Sequence, residues 1–268
     1  MSADPGFMAL LSASMFAGAL VSSFAGFAFA PIAAVLLVAA LDPRTLIPLL
    51  MICSLMVQVA GLIRLRRSIA WGHSDAMLLG GAAGVPLAVM LLPHLHTRLF
   101  QIGFGVFLMG YAVAMLTRRV RHRVVPPDPR RELAVGFFGG LIGGLTAMPG
   151  AIPVLYCDLC GLSKARQRGL VQPYIMAMQV LALAILWMNG EVSATVLWHV
   201  AAALPALALG TLLGLALFGR VPDAGFRRTV LLVLLATGLG ALGGRETPHT
   251  SAWWSMLAQD PPVQAGAY

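Results

Sequence analysis

Of the chain's 268 residues, 59% are hydrophobic and only 10% are charged, which is far more apolar than a soluble domain. This composition predicts an integral membrane protein, and no polar stretch is long enough for a soluble catalytic domain. The formal net charge of +8 does not indicate nucleic acid binding, because the arginines lie in short connections between apolar runs rather than on one basic face.

The apolar runs divide the chain into two similar halves. They cover residues 7–41, 45–63, 76–92, 98–117, 132–160, 169–188, 193–218 and 226–243. Each run is long enough to enter or cross a bilayer. The predicted organisation is therefore a first transmembrane repeat, a basic cytoplasmic linker, a second transmembrane repeat and a polar tail, at residues 1–117, 118–131, 132–243 and 244–268.

Each half begins with a run whose glycines and prolines disfavour a continuous helix. Residues 18–41 read GALVSSFAGFAFAPIAAVLLVAAL, and residues 139–161 read GGLIGGLTAMPGAIPVLYCDLCG, with Pro31 and Pro153 in equivalent places. Glycine and proline weaken a helix interior, so both runs are predicted to be broken helices. Non-helical backbone at membrane depth is tolerated where it is buried in protein or lines a cavity, so both breaks are predicted to border a transport site.

The arginine-rich loops predict how these runs enter the membrane. If residues 133–160 crossed the membrane once, the loop with Lys164, Arg166 and Arg168 would lie outside, against the positive-inside rule. If they form a hairpin of two half-helices, every loop agrees with the rule. The sequence therefore predicts an all-α polytopic membrane protein with two inverted-topology repeats, each a re-entrant hairpin plus three transmembrane helices. A long kinked helix in place of each hairpin, giving eight spans, is the alternative.

Two glutamines occupy matching positions in the repeats. Gln58 and Gln179 each lie in the middle of the first span after the broken run. A buried amide needs partners and can both donate and accept, so both are candidates for the substrate site. The alternative is that each amide joins two helices. Three residues that precede Gln179 by one or two turns are candidates for lining the same cavity: Gln172, Pro173 and Tyr174.

The breaks themselves supply a second set of candidates. A half-helix that begins near the membrane centre presents free backbone N–H groups and the positive end of its dipole, which suits an anion. The predicted binding segments are residues 24–31 and 146–153, with Phe24, Gly26, Phe27, Thr146, Met148, Gly150 and Ala151 as the individual candidates. A cation is the alternative, because half-helix C-termini bind cations by the same logic. Close helix packing is the alternative role of the glycines.

The remaining chemistry is sparse. Asp158 is a candidate proton relay, with an ion pair to Lys164 or Arg166 as the alternative. The Cys157-x-x-Cys160 spacing resembles half of a metal or redox site, but it has no second pair or nearby histidine. No intramembrane protease arrangement is present, so neither an enzyme nor a cofactor or metal is predicted.

The order of these motifs resembles that of the sulfite exporter TauE/SafE family. In each half a glycine-rich stretch leads to a proline, at 22–31 and 139–153, and a G-x-P-L or P-A-L-A-L-G element follows at 84–87 and 205–210. The resemblance covers about residues 10–243. It implies a multi-pass permease of the bacterial inner membrane that moves sulfite or a related organosulfur anion by secondary transport. The first half departs from the family pattern, with Ser22, Ser23 and Phe24 where consecutive glycines are usual.

The resemblance implies a lipid bilayer and a small anion as partners, and it is compatible with a co-transported proton and a homodimer. Permeases for a carboxylate or a cation remain alternatives, as do a channel and a membrane scaffold that moves no solute.

Overall fold

The computed structural model describes residues 5–25, 28–38, 40–65, 74–117 and 128–217. Within these ranges every regular element is a helix. The α-helices are α1 (Pro5–Ala25), α2 (Phe29–Leu37), α3 (Pro43–Leu65), α4 (Asp75–Leu91), α5 (Thr97–Thr117), α6 (Pro129–Thr146), α7 (Ala151–Leu159), α8 (Lys164–Met188) and α9 (Ala194–Leu217), with a 3-10 turn at Leu92–His94. The predicted last span, 226–243, the tail and most of the basic linker lie outside the described residues.

Five of these helices are long and apolar enough to cross a membrane. The candidate spans are Pro5–Ser23, Pro43–Ile63, Asp75–His94, Arg166–Met188 and Ala194–Leu217, and Arg98–Ala114 is a shorter apolar helix. The prediction of an all-helical membrane protein is therefore confirmed. The inverted relation of the two repeats stays a prediction.

Both predicted breaks are present, and proline sits at the same place in each. α2 begins at Phe29, two residues before Pro31, and α7 begins at Ala151, two residues before Pro153. Proline fits the first turn of a helix because its missing N–H would have no intrahelical partner there. α2 and α7 have nine residues each, so each is about 13 Å long. Neither can cross the hydrocarbon core of a bilayer, which is about 30 Å thick.

After each break the short helix lies back along the long one. A Cβ atom added to Gly143 would come 2.6 Å from Pro149 Cα, and one added to Gly139 would come 3.0 Å from Pro153 Cδ. From Gly143 back to Gly139 on α6, the contact moves forward from Pro149, just before α7, to Pro153 within it. The two helices are therefore antiparallel. Gly18 of α1 contacts α2 in the same manner, through Ala33 and Phe29.

The limbs of these hairpins are unequal, whereas the sequence predicted two half-helices. α1 has 21 residues and α6 has 18, against nine in each short helix. The depth at which the hairpins enter a membrane stays a prediction.

Each half of the chain packs one of its helices against the other half. α4 of the first half packs on α6 of the second, and α9 of the second packs on α1 of the first. A Cβ atom on Gly80 would meet the carbonyl oxygen of Leu133, and one on Gly84 that of Phe137, so α4 and α6 run parallel at very short distance. α9 approaches the backbone of α1 in the same way, through Gly210 and Gly214.

This exchange produces two bundles. The first bundle contains α1, α2, α3 and α9, and the second bundle contains α6, α7, α8 and α4. Each helix of one bundle has its counterpart in the other, since α1, α2, α3 and α4 match α6, α7, α8 and α9 in order. The bundles contact each other chiefly between α3 and α8.

Candidate functional site

The two glutamines singled out by the sequence meet where the bundles touch. Gln58 of α3 and Gln179 of α8 have exposed fractions of only 4% and 1%. The Nε2 atom of Gln58 donates a hydrogen bond to Oε1 of Gln179 at 2.9 Å. The contact between the bundles therefore includes a hydrogen bond between these two glutamines.

Two further side chains complete the cluster. Ser54 Oγ accepts hydrogen bonds from Nε2 of Gln58 at 3.2 Å and from Nε2 of Gln179 at 3.0 Å. Gln172 Nε2 donates to Oε1 of Gln58 at 2.8 Å. Ser54, Gln58, Gln172 and Gln179 are termed the amide network below. Ser54 was not among the predicted site residues, although its place one turn before Gln58 puts it on the same helix face.

The amide network has hydrogen-bond donors to spare. Gln58 donates both of its side-chain N–H groups, one to Ser54 Oγ and one to Gln179 Oε1. Among the described residues, nothing accepts from the second N–H of Gln179, the second N–H of Gln172 or the hydroxyl of Ser54. In the same part of the chain, nothing donates to the side-chain oxygen of Gln172, and the oxygens of Gln58 and Gln179 each accept one hydrogen bond and keep a second lone pair. These three unused donors could bind an anion, and the free lone pairs of the amide oxygens could bind a cation, so the cluster accommodates either charge.

The tip of the second hairpin presents backbone donors. α6 ends at Thr146, and its C-cap residue Ala147 has a φ of 58° in the left-handed region, which turns the chain. α7 then begins after Gly150, and no side chain caps its N-terminus. Within the described part of the chain, the backbone N–H groups of Gly150 and Ile152 have no hydrogen-bond partner. Such groups, at the positive end of a helix dipole, attract negative charge.

This tip lies against the same stretch of α8 that carries the amide network. A Cβ atom on Gly150 would come 2.9 Å from Cγ1 of Ile175 and 3.6 Å from Cγ1 of Val171. Ile175 lies one turn before Gln179, and Val171 adjoins Gln172. The start of α7 is thus within about one helical turn of the network along α8.

The other candidates of the second half differ in their surroundings. Met148 and Ala151 are buried at the tip, as is Thr146. The Thr146 hydroxyl donates to the carbonyl oxygen of Ile142 at 2.7 Å, so it is already engaged within its own helix. In the first half, Phe24 lies in the last turn of α1. Gly26 and Phe27 fall outside the described residues.

Three further residues lie away from the network. Asp158 is in the last turn of α7, about 12 Å along the helix from Gly150. The Tyr174 hydroxyl donates to the carbonyl oxygen of Gly136 at 2.6 Å, so this side chain holds α8 against α6. His199, near the start of α9, packs against Phe7 of α1 with the two rings tilted by 56°.

The cysteines of the Cys157-x-x-Cys160 spacing are buried free thiols, as is Cys53. Within the described ranges, no group of three or more metal-ligating side chains occurs.

Comparison with known proteins connects this arrangement to a family. Searches of curated proteins and of solved structures returned no match. The family model for the sulfite exporter TauE/SafE matches residues 10–241, which include most of the first hairpin, the whole second hairpin and the whole amide network. Membership implies a membrane permease or exporter of sulfur anions. The chain belongs to the sulfite exporter TauE/SafE family.

Proposed function

We propose that the protein is a secondary permease that moves sulfite or a related organosulfur anion across the bacterial inner membrane. The observation that carries this proposal is the amide network, a neutral cluster with unused donors at the contact between the two bundles, in which Ser54, Gln58 and Gln179 are buried and Gln172 is partly buried. The donors fit an anion, and the family supplies its chemical class.

The strength of such a site suits transport. A hydrogen bond to a charged group contributes about 1.5–3 kcal/mol. Three bonds at the low end of this range sum to about 4.5 kcal/mol, and the costs of desolvating and immobilising the anion reduce this sum, so the Kd is expected to be no lower than about 0.5 mM. A substrate held this weakly can leave on the other side of the membrane, which tight binding would prevent.

Alternating access is proposed to arise from rocking of the two bundles about the contact between α3 and α8. The tip of the second hairpin lies beside this contact, and Gly150 packs on Ile175. Relative motion of the bundles would therefore change the opening beside the amide network while the substrate stays at the same place. The exchange of α4 and α9 between the bundles is what two inverted repeats would produce, and it supports that topology.

The re-entrant topology has a direct test. In a variant whose three cysteines are replaced by alanine, single cysteines are placed at three exposed sites: Arg130→Cys, Ser163→Cys and Asn189→Cys. Because the first two sites flank the hairpin of α6 and α7, both are expected to react with an impermeant maleimide from the cytoplasmic side. Asn189→Cys, at the far end of α8, is expected to react from outside. Reaction of Ser163→Cys from the side opposite Arg130→Cys would mean that the segment crosses completely.

The function itself is tested by uptake of radiolabelled sulfite into liposomes that contain the purified protein. Saturable uptake is expected, increased by an imposed proton gradient and competed by unlabelled sulfite and sulfonates but not by acetate. Competition by acetate at equal strength would indicate a carboxylate permease. Flux that neither saturates nor responds to a gradient would indicate a channel, and no flux above that of empty liposomes would favour a scaffold.

A further inference from the structure

The amide network contains no charged group that could balance an anion. Along the described helices, α3 has no charged residue between Arg44 and Arg64, and α8 has none after Arg168. α6 has none after Glu132, and α7 has none before Asp158. The side chains and hairpin tip around the network are therefore all neutral.

Arg168 is the nearest cation along α8, one turn before Gln172. Side chains on a helix lean toward its N-terminus. We therefore expect the guanidinium group of Arg168 to lie toward the loop that precedes α8. Between these positions the site offers an anion dipoles, namely the amide N–H groups, a hydroxyl and the start of α7, and substitution of Arg168 tests below whether that cation adds to them.

A site made only of dipoles discriminates between anions by their charge. The Born cost of taking an ion out of water grows with the square of its charge, whereas its attraction to fixed dipoles grows in proportion to the charge. Doubling the charge therefore raises the cost about fourfold and the attraction only about twofold. Without a cation nearby, the balance favours a single negative charge.

We propose that this site takes its substrate as a monovalent oxyanion, which means hydrogensulfite rather than the sulfite dianion, and a sulfonate rather than sulfate. The inference rests on the proposed function and specifies the charge state of its substrate. The free acceptor sites of the network also fit this assignment, because an oxygen such as Oε1 of Gln172 can accept the acidic hydrogen of hydrogensulfite. A sulfonate carries a single charge without needing that acceptor.

The test is exchange of labelled anion across liposomes with equal pH on both sides, so that no proton gradient acts. Sulfite at a fixed, subsaturating total concentration is compared with methanesulfonate, which stays monovalent throughout. Above the second ionisation of sulfurous acid, sulfite exchange is expected to fall about tenfold per pH unit, as the hydrogensulfite fraction does. Methanesulfonate exchange is expected to stay constant, and sulfate is expected not to exchange.

Each other outcome is decisive. Sulfite exchange that stays constant or rises with pH would show that the dianion is accepted, which overturns the inference while the proposed function stands. A parallel fall for methanesulfonate would point to a titrating group of the protein and would also overturn it. If neither anion exchanges at any pH, the proposed function fails.

A variant adds a cation where the site lacks one. The measured quantity is the ratio of sulfite exchange at high pH to sulfite exchange at low pH. Gln172→Lys is expected to raise this ratio by about tenfold, which corresponds to a free-energy difference of roughly 1.4 kcal/mol. Gln101→Lys makes the same change outside the network, and its ratio is expected to stay at the wild-type value. Arg168→Gln is likewise expected to leave the ratio unchanged, and a lower ratio in this variant would show that Arg168 contributes charge to the site. If Gln172→Lys does not fold, the pH profile of the wild-type protein still decides the question.

Discussion

Replacing Gln179 with leucine is expected to lower sulfite uptake by about 10- to 100-fold. The residue is 1% exposed, and its side chain accepts from Gln58 and donates to Ser54. The substitution removes one donor available to the anion, and a hydrogen bond to a charged group contributes about 1.5–3 kcal/mol, a factor of roughly 10 to 100 in affinity. It also leaves an N–H of Gln58 without its acceptor, which is expected to lower the melting temperature.

Gln101→Leu is the matched control for this substitution. Gln101 donates to the backbone carbonyl of Val38 at 3.0 Å, so it too joins two helical segments, but it has no bond to the network. Uptake by folded Gln101→Leu protein is expected to stay within about twofold of wild-type uptake. A factor of two corresponds to a free-energy change of about 0.5 kcal/mol, the usual limit for a substitution away from a functional site. Wild-type uptake by folded Gln179→Leu protein would mean that the amide network only joins α3 to α8.

Replacing Gly140 with alanine is expected to cause a clear loss of stability. A Cβ atom at this position would lie 2.5 Å from the carbonyl oxygen and 2.9 Å from the Cα atom of Gly81 on α4. These are backbone atoms that cannot rotate away, so α4 and α6 would have to move apart. Overpacking of this kind costs about 1–3 kcal/mol. Thermal unfolding in detergent is monitored by size-exclusion chromatography, and the melting temperatures of the variant and the wild type are compared.

Gly103→Ala and Gly110→Ala make the same change on α5, where an added Cβ atom meets nothing within 4 Å. Because alanine favours a helix over glycine by up to about 1 kcal/mol, these variants are expected to melt at or slightly above the wild-type temperature. Equal melting of Gly140→Ala and the two controls would show that the close approach of α4 and α6 does not contribute to stability.

Local patterns in the sequence located the breaks and the central glutamines. Pro31 and Pro153 mark the starts of α2 and α7 because a proline in the first turn of a helix removes no intrahelical bond. Gln58 and Gln179 stand out because an amide is rare and costly in an apolar span, and they occur at the same place in both repeats. These features depend only on near neighbours in the chain, so they could be predicted.

Features that depend on distant residues were missed. Ser54 has no visible role until Gln179 of α8 lies beside it, 125 residues away. The glycines of α4 and α6 indicate close packing, but their spacing does not say which helices pair, and the exchange of α4 and α9 between the bundles followed from no local pattern. Tyr174 was expected beside the glutamines, yet its hydroxyl bonds to Gly136, because a carbonyl of α6 lies within reach only in the packed structure.

Equilibrium binding of radiolabelled sulfite to the purified protein, compared between wild type and Gln179→Leu, tests the amide network most directly, because it needs neither a driving gradient nor movement of the bundles. Saturable binding to wild type that weakens about 10- to 100-fold in folded Gln179→Leu protein is the result expected from the loss of one hydrogen bond to the anion. Binding of equal affinity in both proteins would contradict the account and place the anion elsewhere in the molecule.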